Sequence, residues 1–352
     1  MANGTPTKVL HSISMESVLK ILLIVIAVAF AWNIRDIIAL FFVSLLLSAA
    51  LDPSIDYLRQ YKIPRALGVL LIYVVFISLF LLLVIGISKP LAAEVSSFSK
   101  DLPSFYLDID RNLQNFQQST FLTPERVTSL RNGLDDLLLT LTRVASGNIL
   151  PFFSALFGGL LSLMLVLVIT FYLTVQESAL RQFLIWLTPK NKEKETASIM
   201  EKIKQKLGWW LRGQMVLSLI IFLITYVGLK ILGIQYALVL ALLAGFFETI
   251  PYLGPVLSAV PAVFLTLISP WGGVVKAVFV VVLYILIQQA ENHLLVPKVM
   301  AKSVGLNPLI VIFSILIGAK LAGIVGALVA VPAAAAITVY IQEKGLTKEF
   351  IT

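Results

Sequence analysis

Glu248 is the single acidic residue between Glu201 and Glu291, a stretch that is otherwise mostly apolar. An ionisable group in hydrocarbon costs about 2.5–3.5 kcal/mol on insertion scales, so this carboxyl should face a cavity or a partner. Thr249-Ile250-Pro251-Tyr252-Leu253-Gly254-Pro255 follows it, with two prolines and a glycine. Each proline removes a backbone donor and disfavours helix at the residue before it. Non-helical backbone at membrane depth must be buried in protein or line a wet cavity, and broken helices aim partial charges at a ligand. Glu248 therefore reads as a substrate- or proton-binding carboxylate, or as an anchor bonded to loop amides. Pro251, Tyr252, Gly254 and Pro255 are assigned to the same substrate or ion path.

A second break, Ile317-Gly318-Ala319-Lys320-Leu321-Ala322-Gly323, has Lys320 as its one charge. Lys320 could pair with Glu248, meet an anionic or hydroxylated solute, or reach the interface from a shallow tip. Gln288, Gln289, Glu291, Asn292 and His293 cluster at a helix end. Gln288 and Asn292 share a face, as do Gln289 and His293. They line a path or mark where that helix leaves the membrane. Gln288, Glu291, Asn292, Gly318, Lys320 and Gly323 complete the candidate path. Pro251, Gly254 and Pro255 are expected to meet the second tip. Trp209-Trp210-Leu211-Arg212-Gly213-Gln214 opens a span and reads as interfacial anchoring. Asn307 before Pro308 is a helix cap.

Enzyme chemistry finds little to use. The two histidines, His11 and His293, are too far apart to suggest a metal site, and there is no cysteine. No Gly-x-Ser-x-Gly elbow, Walker A loop or His-Glu-x-x-His is present. Transport would run on a gradient or be passive, not on ATP; no catalysis, metal or cofactor is expected.

These residues sit in a chain that is 59% hydrophobic and 13% charged. A soluble domain carries about 25% charge. Ala66–Ser88, Val144–Gln176, Thr249–Val275 and Leu321–Gln342 contain no charge at all. About 20 apolar residues cross the roughly 30 Å of hydrocarbon, so the chain reads as all-α and polytopic, with about 6–8 transmembrane helices. The net charge of +8 flanks apolar spans, which points to orientation and anionic headgroups rather than nucleic acid.

Residues 1–88 are assigned to N-terminal membrane helices. Val18–Trp32 leads through Asn33-Ile34-Arg35-Asp36 into Ile37–Leu51, which reads as a membrane hairpin rather than a signal peptide. Residues 89–148 mix both charge signs. Val127, Leu130, Leu134, Leu137, Leu138 and Leu141 there trace an amphipathic helix, begun by Thr123-Pro124-Glu125, outside the membrane or on its surface. Residues 149–176 form the next membrane helix. Residues 177–207 hold seven Lys/Arg against four Asp/Glu and are assigned to a cytoplasmic helical loop. Residues 208–341 form a C-terminal transport region, and 342–352 a tail.

That region contains two similar broken segments, 234–268 and 306–341. Each follows a glycine, Gly233 or Gly305, and reaches Ala259-Val260-Pro261-Ala262 or Ala330-Val331-Pro332-Ala333 at nearly the same distance. One crossing helix plus one re-entrant hairpin per unit would make the second unit inverted, a common plan for secondary transporters. Residues 291–304, with Lys298 and Lys302, would then face the cytoplasm.

Glu248-Thr249-Ile250-Pro251-Tyr252-Leu253-Gly254-Pro255, then Glu291-x-x-Leu294-x-x-Pro297, Gly305-Leu306-x-Pro308 and Gly318-x-x-x-x-Gly323-x-x-Gly326-x-x-x-x-x-Pro332, resemble the autoinducer-2 exporter family of permeases. The likeness runs over nearly the whole chain and is most specific in the C-terminal half. It implies a multi-pass protein of the bacterial cytoplasmic (inner) membrane that exports small solutes, autoinducer-2 among them. Sodium/proton antiport is the alternative the family allows; a channel or structural membrane protein is the alternative of another class. The partners implied are a small-molecule solute, protons or sodium, the lipid bilayer and further copies of the chain as a homo-oligomer.

Overall fold

In hydrocarbon a backbone must satisfy its own donors and acceptors, so apolar runs between charged or glycine-containing connectors fold as helices. The computed structural model describes residues 15–117, 160–176, 188–251, 254–269, 272–300 and 306–345, with a few isolated positions between 128 and 186. The helices are α1 (Met15–Asn33), α2 (Arg35–Gln60), α3 (Arg65–Gln117), α4 (Leu160–Val175), α5 (Glu193–Ile231), α6 (Ala237–Phe247), α7 (Gly254–Ile268), α8 (Val274–Ala290) and α9 (Pro308–Glu343). Among the described residues the regular elements are all helical, and five helices are long and apolar enough to cross a membrane. Three shorter apolar helices, Leu161–Val175, Ala237–Phe247 and Gly254–Leu267, accompany them. The chain is an all-α, polytopic membrane protein.

The start of the chain differs from the expected hairpin. One residue, Ile34, separates α1 from α2. Helical bonding continues through it, from Ile34 N to Phe30 O at 3.1 Å and from Ile38 N to Ile34 O at 3.0 Å. A reversal would break both bonds, so α1 leads onward into α2. The third span also runs further than its charge-free core. α3 continues past Ser88 to Gln117, 53 residues or about 80 Å. The amphipathic segment 127–141 lies outside the described residues apart from a few positions.

α5 is the central element and packs against α2, α6, α8 and α9. α2 packs against α3, α4, α5 and α9. Its seam with α4 is polar and fully buried. Thr170 Oγ1 donates to Ser44 O at 3.3 Å, and Thr174 Oγ1 to Ser48 Oγ at 2.9 Å. Small hydroxylated residues four apart on each helix let the backbones approach and bond, as membrane helix pairs do. At the α2–α5 crossing a Cβ on Gly208 would strike Ala49 O. Pro53 lies one turn on in α2 and has no N–H to give that carbonyl.

Both broken segments are helical hairpins. α6 and α7 pack together across the turn that contains Pro251. α9 is two arms joined at Ala322 (φ −141°, ψ 29°) and Gly323 (φ 60°, ψ −141°). A Cβ on Gly318 would meet Gly326 O, and one on Gly326 would meet Gly318 O. Those residues would be about 12 Å apart along a straight helix, so the arms have folded back on each other. Asn307 caps the first arm, its side chain accepting from Leu309 N at 2.9 Å.

Two sets of contacts fasten the ends. The Glu94 carboxylate accepts from Leu238 N and Val239 N, both at 3.0 Å, at the N-terminus of α6. The charge meets otherwise unpaired amides there. At the other end of α5, Lys344 pairs with Glu195 at 2.7 Å and Lys202 with Glu343 at 2.6 Å. The bond to Glu195 holds the Lys344 ammonium above its ordinary pKa.

Candidate functional site

α6 is apolar along its whole length, which buries it and delivers Glu248 at its C-terminal end. Glu248 has 0% of its surface exposed. Its backbone carbonyl, freed by the end of the helix, accepts a hydrogen bond from Gln214 Nε2 of α5, itself 3% exposed. Gly254, the first residue of α7, lies so close that a Cβ would come within 2.7 Å of Glu248 Cα and 2.5 Å of its Oε2. Glycine is required here by space.

The second carboxyl comes from α8. That helix does not stop at Ala290 but widens into a π turn, Glu291–Leu295. Such turns shift the register of the side chains that follow and frequent functional sites. Glu291 is 2% exposed and interacts directly with the Glu248 carboxyl. Gln288 Nε2 lies 3.5 Å from both Glu291 Oε2 and Asn292 Oδ1, so this trio forms one loose polar group. Among the described residues neither glutamate forms an ion pair. Glu248 Oε1, Glu248 Oε2 and Gln214 Oε1 are buried and meet no donor. The core of the site is a set of buried acceptor oxygens. A proton shared by the two carboxyls, or a small cation, would satisfy it.

A model of the AI-2E family transporter matches residues 21–344. The chain belongs to the AI-2E family. It is 29% identical over 311 residues to YrrI of Bacillus subtilis, covering 87% of this chain and 86% of that one. YueF of the same organism is 28% identical over 291 residues, with 80% and 78% covered. YhhT of Escherichia coli K12 is 27% identical over 326 residues, with 90% and 88% covered. All three are named as candidate transport proteins, and the chain is a multi-pass membrane protein of a transporter family.

Within this AI-2E chain the sequence-assigned positions divide. Glu248, Gly254, Pro255, Gln288, Glu291 and Asn292 belong to one region, with Glu248, Gly254, Pro255 and Glu291 buried. Pro251 is half-buried in the turn, and Tyr252 lies outside the described residues. The second tip stands apart. Lys320 and Gly323 are exposed, and Lys320 forms no ion pair with Glu248. α9 packs on α2 and α5, and Ile250 of the first break reaches the Val311–Ile315–Ala327–Val331 cluster on its arms. Gly318 serves the close approach of the arms. Of the presumed anchors, Trp209 is exposed with Arg212 4.7 Å over its ring, whereas Trp210 is buried in the core with Leu46 and Leu207. Gln214 was assigned to that anchoring group; the signal for its real place is a lone amide inside an apolar run.

Proposed function

We propose that this AI-2E family chain is a gradient-driven permease that exports a small solute of the autoinducer-2 type, with Glu248 and Glu291 as its proton-carrying pair. The observation that carries the reading is the contact of two buried carboxyls at the break of a hairpin, with no basic partner among the described residues. Two carboxylates side by side in a low dielectric are not both ionised, so the pair holds a proton in the closed state. A movement of α6 against α5 that opens the pair to water releases it. The hairpin break that parts the carboxyls also opens the cavity to solute, which ties one proton to one conformational change.

Sodium/proton antiport is the second reading, favoured by the unsatisfied oxygens: Gln214 Oε1 adds a neutral acceptor to those of Glu248. Residence in the bacterial inner membrane and assembly as a homo-oligomer are part of the same proposal.

The test uses the purified full chain in proteoliposomes, with labelled solute and sodium followed in parallel, with and without a pH gradient. A pH gradient should drive solute efflux, and Glu248→Gln and Glu291→Gln should lose that dependence while melting in detergent near the wild-type temperature. Sodium flux against protons without solute would favour the second reading. Full, still gradient-dependent flux in Glu248→Gln would remove the pair from the mechanism.

A further inference from the structure

We propose that the groove between α2, α3 and α5 is a binding site for an anionic phospholipid, with its headgroup phosphate on Arg212. The groove encloses about 700 Å³ and is walled by Pro53, Tyr57 and Leu58 of α2, Leu71, Ile72 and Val75 of α3, and Trp209 and Arg212 of α5. Its walls are mostly apolar, with Ser54 and Tyr57 supplying hydroxyls, and Arg212 is the cation that lines it.

The depth fits a lipid. α3 begins at Arg65, so Leu71 and Val75 lie about 9 and 15 Å along it. That reaches from headgroup level well into the acyl region of one leaflet. Leu71, Val75 and Tyr57 are all substantially exposed on the lips, so the groove opens sideways toward the bilayer.

Charge decides which lipid. Arg212 Nη1 donates to Ala50 O at 3.1 Å, and the guanidinium lies over the Trp209 ring. A guanidinium has five N–H donors in a planar fork suited to phosphate, and the one bond to Ala50 leaves most of them for a ligand. Asp52 lies near enough to act on Arg212, but it is already engaged by Arg65 at 3.2 Å and Lys204 at 2.6 Å. Counting Asp56, which Arg65 also meets at 3.6 Å, the contacts of the described residues at this corner place three cations against two carboxylates. Arg59 near the end of α2 and Lys62 on the connector are further cations of this stretch. A zwitterionic headgroup would bring its own cation to this corner; a singly anionic one supplies the missing negative charge.

Native mass spectrometry of the delipidated full chain, with phosphatidylglycerol or phosphatidylcholine added, reads the site directly. The wild type should retain phosphatidylglycerol preferentially and melt later in its presence. Arg212→Gln keeps a donor for Ala50 O but loses the charge, and the preference should fall about fivefold, the worth of one cation at an anionic surface. Ile72→Trp and the more exposed Val75→Trp fill the groove; they should lose both lipids while melting normally without lipid. Equal retention of the two lipids by the wild type, or wild-type retention by the filled variants, would overturn the site. So would efficient cross-linking between subunits through a cysteine at Leu71, which would seat a second copy there instead.

Discussion

Glu248 was conspicuous because charge is scarce around it, and Glu291 because it begins a polar cluster; their contact was not visible in the sequence. The two are joined only by the hairpin turn, α7, α8 and the π turn, and no spacing rule spans such a path. Gln214 was hidden for another reason. It follows Trp209, Trp210 and Arg212, which mark an interface, and one helical turn carries it from that interface into the core. Its amide fixes the end of α6 through the Glu248 carbonyl. Gln214→Leu is expected to lower stability by about 1–3 kcal/mol, because a buried carbonyl loses its donor; thermal melting in detergent measures it. Glu248→Ala separates two roles. A coupling carboxyl predicts lost pH dependence with a stable fold, whereas a loop anchor predicts a poorly folded protein. Flux and melting on the same preparation distinguish them.

At the scale of elements, the hairpins were legible because each break is written in residues that cannot continue a helix. Pro251 and Pro255 lack donors, and Gly323 adopts φ 60°, ψ −141°, a region open in practice to glycine alone. Gly323→Ala should therefore cost about 1–3 kcal/mol. Gly318→Leu should do more harm, since its side chain would drive into Gly326 and part the arms of α9; loss of folded protein by size-exclusion chromatography checks it. What the sequence hid was continuity. The charge-free run ends at Ser88, yet α3 runs on through Lys89-Pro90 and docks Glu94, Phe98 and Asp101 against the start of α6, with Tyr236 donating to Asp101 at 2.5 Å. Tertiary contact overrode a local stop signal. At Ile34 the continuity is local: helical bonds cross a polar connector.

For the whole molecule, the placement of charge orients the fold. The Lys/Arg-rich start of α5, its ion pairs with the end of α9, and the Asp52–Arg65–Lys204 corner between α2 and α3 all mark one face. The positive-inside rule predicts that Lys192 and Lys298 both face the cytoplasm. Single cysteines at these two exposed positions should react only from that side with an impermeant thiol reagent, and opposite labelling would reject the arrangement. The α2–α4 seam bears on how such a chain is made. Ser44 and Ser48 precede their partners Thr170 and Thr174 by 126 residues. At about 5–20 residues per second the ribosome takes roughly 6–25 s to cover that distance. Meanwhile Ser44 Oγ donates to Leu40 O at 2.8 Å, and later Thr170 and Thr174 arrive with their hydroxyls already bonded to Val166 O and Thr170 O. Each of these three hydroxyls thus enters the bilayer with an acceptor from its own helix, and when the seam closes its single proton is shared with an acceptor on the partner helix rather than left stranded before that partner is made.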